Sequence, residues 1–170
     1  MSPRAAWRLE SLGFEDVYDY AAGKQDWMAA GLRTEGTLAT LTRAGDVARQ
    51  DVPTCEPGEP LGEVRERTLA AGWDVCVVVN ADRVVLGLLR TKQLEMPGHN
   101  DPVERVMDAG PSTFRPNVDI REMAHYMAEH DLPSAPITTS DGRLVGLLVR
   151  EDAETAAHHG HGADPHEEET

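Results

Sequence analysis

The sequence predicts an α/β (α+β) fold built from two copies of one strand-helix-strand-strand-helix unit. Three observations carry that prediction. The triplet Gly87-Leu88-Leu89 returns as Gly146-Leu147-Leu148, a shift of 59 residues; further matches follow at that shift without a gap; and helical and strand periods alternate in the same order in both halves. The shift superposes Thr54 on Thr113, Pro57 on Pro116, Glu63 on Glu122 and Asp82 on Asp141. Apolar classes follow, with Leu61 on Ile120, Val64 on Met123, Val78 on Ile137 and Val85 on Leu144. One triplet arises by chance, whereas an ordered set over a whole unit marks a duplication.

Each copy opens with a short strand and continues into an amphipathic helix. In the first, Leu61, Val64 and Leu69 fall near a 3.6-residue period, and in the second Ile120, Met123, Ala124 and Met127 do so. Asp119, three residues before Glu122, fits a capping-box-like start in which the carboxylate accepts an orphan backbone N–H. Next comes the β-branched run Val75 to Val79, a turn at Asn80-Ala81-Asp82-Arg83, and a second strand from Val84 to Leu89, together a hairpin buried on at least one face. The second copy repeats this with Ala135-Pro136-Ile137-Thr138, the stronger turn signal Ser140-Asp141-Gly142, and Leu144 to Val149. Pro136 has no N–H to give a ladder, so its strand is expected at an edge or with an irregular start.

The totals bound the function. A chain of 170 residues with 40% hydrophobic residues can build a real core. Sixteen Lys and Arg against 30 Asp and Glu leave a formal charge of −14, which repels a polyphosphate backbone, so no nucleic acid is expected as partner. No apolar run approaches a membrane span and no signal-peptide core follows Met1-Ser2-Pro3-Arg4, so no membrane is expected and the expected compartment is the cytoplasm. Cys55 and Cys76 form neither a disulfide framework nor a metal knuckle, and Cys76, inside the valine run, reads as a small buried hydrophobe. There is no Ser/His/Asp or Cys/His constellation, no Walker glycine loop and no carboxylate pair spaced for acid-base work, so no catalytic residue is assigned.

The tandem unit, the connecting run Pro102-Val103-Glu104-Arg105-Val106-Met107 with Gly110-Pro111-Ser112-Thr113-Phe114-Arg115-Pro116, and the turn and strand Asp141-Gly142-Arg143-Leu144-Val145-Gly146 resemble the cystathionine-beta-synthase (CBS) domain pair, or Bateman module, over residues 47–155. The resemblance implies two copies, 47–100 and 101–155, packed sheet to sheet. It implies pairs that join as disc-like homodimers, and clefts that take AMP, ADP, ATP or S-adenosylmethionine as a regulatory ligand rather than a cofactor. The family's motif, Gly-hydrophobic-x-Ser/Thr-x-x-Asp, places Asp on the ribose and the hydroxyl residue with nearby cations on phosphate at a helix N-terminus. In the second copy it reads Gly146-Leu147-Leu148-Val149-Arg150-Glu151-Asp152, keeping the aspartate as Asp152, losing the hydroxyl to Val149 and offering Arg150 for phosphate. Thr113 and Ile137 would lie near the adenine, with Thr54 as the repeat equivalent of Thr113. In the first copy it reads Gly87-Leu88-Leu89-Arg90-Thr91-Lys92-Gln93, with Gln93 in place of Asp, the hydroxyl moved to Thr91, and Arg90 and Lys92 making that mouth positive. An acidic helix start needs no ligand to explain it, so Arg150-Glu151-Asp152 also reads as a solvated helix N-terminus.

Residues 1–36 differ in character. Ser2 to Phe14 reads as a helix stopped by Gly13, Val17-Tyr18-Asp19-Tyr20 as a strand and Lys24 to Ala30 as a helix. The wording Leu12-Gly13-Phe14-Glu15-Asp16-Val17-Tyr18 and Gly23 to Leu32 is similar to the C-terminal end of a rhodanese domain, whose catalytic cysteine would fall before Met1. Without a thiolate, sulfur transfer has no first step. Trp7, Leu9, Leu12, Phe14 and Trp27 need cover, from the repeats or a second chain, or the segment is marginally ordered; a start codon placed too far downstream and an evolutionary remnant are both open. Residues 37–46 read as a linker. Residues 156–170 read as a disordered tail whose histidines His158, His159, His161 and His166 collect metal only adventitiously, so no metal site is assigned. His125 and His130 read as exposed or capping residues of the second-copy helix. The expected function is a non-enzymatic module that senses an adenine nucleotide and passes its state to an unknown effector protein. The alternatives are a ligand-free structural or dimerisation module, or the remnant of a rhodanese-CBS fusion sulfurtransferase.

Overall fold

A duplicated sequence need not fold into two separable halves, and this one does not. The computed structural model describes residues 8–17, 27–28, 32 and 41–159. Its elements are α1 (Ala44–Val47), β1 (Thr54–Cys55), α2 (Leu61–Ala70), β2 (Cys76–Val79), β3 (Val85–Leu89), α3 (Thr91–Leu94), a 3-10 turn (Val103–Arg105), β4 (Asp108–Ala109), α4 (Ile120–Glu129), β5 (Ser134–Thr138), β6 (Leu144–Val149) and α5 (Arg150–His159). One sheet runs β1-β2-β3-β4 and the other β5-β6.

The repeat seen in the sequence is reproduced pair by pair. Cys76↔Leu89, Val77↔Leu88, Val78↔Gly87 and Val79↔Val85 in the first hairpin become Ala135↔Leu148, Pro136↔Leu147, Ile137↔Gly146 and Thr138↔Leu144 in the second. The same irregularity interrupts both, after Val78 and after Ile137. The parallel pair Cys55↔Val78 becomes the isolated bridge Phe114↔Ile137. β5 is bonded on both sides, to β6 and to the Phe114 segment, rather than lying at the edge expected for Pro136; the Phe114 segment uses the Pro136 carbonyl and the Thr138 N–H (3.0 and 2.8 Å), which need no proline N–H.

Three apolar clusters show why the β2 run is continuously apolar rather than alternating. Cys76 and Val78 face Cys55, Leu61, Val64, Leu89 and Leu94. Val75, Val77 and Val79 face the opposite way, meeting Leu88 with Leu144 and Leu147 of the other hairpin, so the two sheets pack face to face. In the second copy Met123, Met127, Ile137 and Leu148 form the helix-sheet core. The leading segments cross over. Ala44 and Ala48, ahead of β1, are buried in the core of the second copy, and Val103, ahead of β4, is buried in the core of the first. The backbone follows suit, with Leu61 N–H donating to the Asp101 carbonyl (2.9 Å) and Ile120 N–H to that of Thr42 (3.1 Å). Each helix thus has an orphan N-terminal amide satisfied by the segment that leads the other copy. The two copies, divided near residue 100, thus exchange their leading segments across the pair.

Asp119 caps α4 as anticipated, its carboxylate accepting from the Arg121 N–H at 2.8 Å. Leu69 does not belong to the buried face of α2: it is 58% exposed, while Leu61, Val64 and Thr68 are buried. Thr68 takes the i+7 place, and its hydroxyl is satisfied by the Val64 carbonyl at 2.7 Å. Cys55 and Cys76 are free, buried thiols. α5 extends to His159, so residues 156–159 are helix rather than tail; the tail beyond, with His161 and His166, lies outside the described residues. Residues 8–11 are helical and end on Gly13 at φ 92°, the expected stop. Leu12 and Phe14 are each 59% exposed, so the repeats do not cover them. The expected strand at Tyr18 to Tyr20 and most of the helix Lys24 to Ala30 lie outside the described residues. Among the described residues no helix is long and apolar enough to cross a membrane.

Candidate functional site

Because each helix of the pair returns to a strand through a tight turn, the turns after α2 and α4 come to one end of the facing sheets. There they meet the strand-to-helix junctions that carry the motif residues. Between them lies a cleft of about 560 Å³, lined by Gly72, Trp73 and Asp74 after α2, Pro133 and Ser134 after α4, Arg90 and Thr91 after β3, and Val149 and Glu151 at the junction of β6 and α5. Asp74 with Pro133, Val75 with Ser134, and Arg90 with Val149 are equivalent under the 59-residue shift, so the cleft straddles the line that relates the copies. Arg49 and Asp51, just ahead of β1, complete it.

Asp152 stands at the border of this cleft, on the first turn of α5. Its carboxylate is held two-pronged by Arg49, with Nε to Oδ2 at 2.6 Å and Nη2 to Oδ1 at 2.8 Å. The Arg49 guanidinium also lies over the Trp73 ring, 5.7 Å from its centroid. The hydrogen bond that Arg49 donates to Asp152 is the main reason Arg49 is held above its ordinary pKa. Arg90, in the lining of the same cleft, reaches Asp108 at 3.3 Å with one terminal nitrogen, while its Nε is buried without a partner. Arg49 and Asp108 are repeat equivalents, so the two copies place charges of opposite sign at this position, each held in an ion pair.

Of the residues singled out in the sequence, Arg90 lines the cleft, Thr91 joins it, and Asp152 reaches its rim through Arg49. Arg150 points elsewhere, pairing with Asp131 at 3.2 Å. Lys92 and Thr113 are exposed and do not line the cleft. Thr54 sits on the outermost strand of its sheet, where its carbonyl accepts from Arg67 at 3.0 Å. Strand alternation turns the Ile137 side chain to the helix side, where it is fully buried among Met123, Met127 and Leu148, and it does not line this cleft. Arg49, Asp51 and Trp73 were not anticipated. Arg49 and Trp73 precede strands rather than follow them, outside the motif, and only the match of Arg49 to Asp108 under the shift marks the position. His130 caps α4, its Nδ1 3.0 Å from the Tyr126 carbonyl, and His125 is exposed.

Comparison with known proteins decides the family. The model described as "CBS domain" matches twice, at residues 44–94 and 103–158, which is more than half of the chain. The chain belongs to the CBS-domain family. Among curated proteins this CBS pair is similar to an inosine-5'-monophosphate dehydrogenase of Thermoplasma acidophilum, 32% identical over 114 residues, 66% of this chain and 23% of that one. It is also similar to a homoserine O-acetyltransferase of Methanohalobium evestigatum, 23% identical over 113 residues, 65% of this chain and 23% of that one. The chain thus spans about a quarter of the length of either enzyme. Among solved structures, the cytosolic domain of the Mg2+ channel MgtE in complex with ATP matches with a TM-score of 0.62 at 23% identity, over 69% of this chain and 50% of that one. CBSX2 from Arabidopsis thaliana matches with a TM-score of 0.62 at 18% identity, over 69% of this chain and 94% of that one. CBSX2 in complex with AMP matches with a TM-score of 0.61 at 18% identity, over 69% and 96%. These likenesses show the CBS-pair fold.

Proposed function

We propose that this CBS pair is a non-catalytic regulatory module that takes an adenine nucleotide in the cleft lined by Arg49, Trp73, Arg90 and Thr91. The observation that carries the reading is the meeting, at one cleft, of an indole and two guanidinium groups, one of them holding the carboxylate of Asp152. Trp73 offers a π-face, the guanidinium groups offer planar donors to phosphate, and Asp152 offers an acceptor pair to a diol. Two relatives by fold, the MgtE cytosolic domain and CBSX2, are described with ATP and AMP. Binding changes the module's output only through unequal affinity for two packings of the copies, or of two such pairs in a homodimer, read by an effector protein in the cytoplasm. Calorimetry with AMP, ADP, ATP and S-adenosylmethionine tests the reading: saturable binding weakened by Arg90→Ala supports it, and no heat with any of the four at millimolar concentration overturns it.

A ligand-free dimerisation module is the second reading. The two-pronged Arg49–Asp152 pair favours it, because the carboxylate that would grip a ribose already has both oxygens occupied. Sedimentation of the free protein would then show a dimer that none of the four ligands perturbs. For residues 1–36 the rhodanese-like reading rests on sequence wording, and it assigns them no chemistry.

A further inference from the structure

Arg49 is built into place more firmly than an exposed arginine needs to be. Its backbone is bridged to Leu147 in both directions, Arg49 N–H to the Leu147 carbonyl and Leu147 N–H to the Arg49 carbonyl, each at 2.9 Å. This approach is possible because residue 146 is glycine, whose absent Cβ would stand 2.7 Å from the Arg49 carbonyl oxygen. The side chain then spans from this fixed root to Asp152 while its guanidinium overlies Trp73. Yet the pair remains open to water, with side-chain exposures of 48% for Arg49 and 28% for Asp152. Even in its two-pronged geometry, an ion pair this open to water competes with solvent and can exchange its carboxylate for another oxyanion.

We infer that Arg49 is a latch and the specificity-determining residue of the cleft: it masks Asp152 until a ligand phosphate draws its guanidinium away and frees the carboxylate for the ribose. This rests on the nucleotide reading above. The exchange conserves charge pairing, since Arg49 leaves one oxyanion for another, and Asp152 gains a neutral diol as donor. A ligand without phosphate must break the latch and leave the guanidinium uncompensated. The lining also bounds the phosphate count. Arg49 and Arg90 share the lining with Asp51, Asp74 and Glu151, so one phosphate is matched by two cations, whereas a longer chain meets three carboxylates. The cleft therefore prefers a nucleoside monophosphate to both the bare nucleoside and the triphosphate.

The test is calorimetry of adenosine, AMP and magnesium-free ATP against the wild type, Arg49→Met and Arg49→Lys, with melting curves to establish that the variants are folded. Arg49→Met should weaken AMP about tenfold or more, the scale of a lost charge-assisted bond to phosphate. The same change should tighten adenosine by roughly three- to fivefold, the scale of an exposed ion pair no longer to be broken. Arg49→Lys, a cation without the fork, should fall between on both ligands. The opposite sign for the two ligands is the signature, because a merely structural lesion weakens both. If the wild type binds AMP and Arg49→Met moves both ligands in one direction, or if ATP binds more tightly than AMP, the latch is wrong while the nucleotide reading stands. If no protein binds any of the three, the nucleotide reading falls and takes the latch with it.

Discussion

Val84 and Arg143 face one another as an antiparallel bridge, and each is the other's equivalent under the 59-residue shift. The hydrogen bonds beside them obey the same relation: Val85 N–H donates to the Gly142 carbonyl at 3.1 Å, and Leu144 N–H to the Arg83 carbonyl at 2.9 Å. A local two-fold axis therefore passes through this bridge, and the two hairpins hold each other at their turns. Few residues cross the axis, so what each copy places there is tested against its twin.

Arg83 and Gly142 are twins of this kind, with φ of 63° and 83°. Glycine enters that region freely, while an arginine does so against the clash of its Cβ with the backbone. The Asn80 side chain offsets the strain by accepting from the Asp82 and Val84 N–H groups at 3.0 and 2.9 Å. Arg83→Gly should therefore stabilise the protein by about 0.5–1 kcal/mol, seen as a higher melting temperature. An unchanged or lower value would mean that the Arg83 side chain itself supports the turn.

α2 makes the reverse test. Leu69 is exposed and Thr68 is fully buried, although residue type suggests the opposite. Leu69→Lys is expected to shift stability by no more than about 0.5 kcal/mol. Thr68→Lys should cost more than about 3 kcal/mol, since it buries an unpaired ammonium among apolar neighbours and breaks the bond to Val64. Urea titration of the two variants compares them directly.

The duplication, the helix faces and the hairpins were legible because each rests on local periodicity and because two copies vouch for one another. Leu69 was misassigned because hydrophobicity alone does not say which of two adjacent positions faces the sheet; that depends on where the helix starts, and Pro60 sets it through its bridge to Pro102 in the other copy's leading segment. The crossover of Ala44 and Val103 is invisible to period and propensity, being a matter of long-range connection. For the same reason the motif located Arg90, Thr91 and Asp152, but Arg49 and Trp73, which enter the cleft from segments ahead of strands, emerged only in three dimensions.

Acid should weaken the fold through particular carboxylates. The Arg67 side chain, 2.6 Å from Glu59, holds that carboxyl below its ordinary value, and hydrogen bonds from the Arg121 side chain and then its backbone N–H do the same for Asp119. Both groups return to ordinary values on unfolding, so the unfolded chain binds more protons as the pH falls. Their contribution is complete above the ordinary carboxylate range and is lost as the pH drops below it through the folded-state values. The melting temperature should fall between about pH 5 and about pH 2, and Glu59→Gln with Asp119→Asn should make that fall shallower. An equally steep fall in the double variant would assign acid sensitivity to other groups.

Gly146 and its twin Gly87 separate backbone crowding from side-chain crowding. A Cβ on Gly146 would meet the Arg49 carbonyl oxygen at 2.7 Å and the Ala48 Cβ at 3.2 Å, both fixed by the double bridge to Leu147 and the burial of Ala48. A Cβ on Gly87 would meet the Met107 sulfur at 2.7 Å, at the end of a flexible side chain, and the Asp108 carbonyl oxygen at 3.0 Å. Thioether chains move aside at little cost, whereas a bridged carbonyl does not. Gly146→Ala should thus cost about 1–3 kcal/mol and Gly87→Ala distinctly less, with Gly58→Ala, which meets nothing within 4 Å, near neutral. Because the displaced backbone carries Arg49, only Gly146→Ala should also disturb the pairing with Asp152, and its loss should be partly shared with Asp152→Asn in a double-mutant cycle. Additive losses in that cycle would show that the strand approach and the ion pair are independent features of the fold.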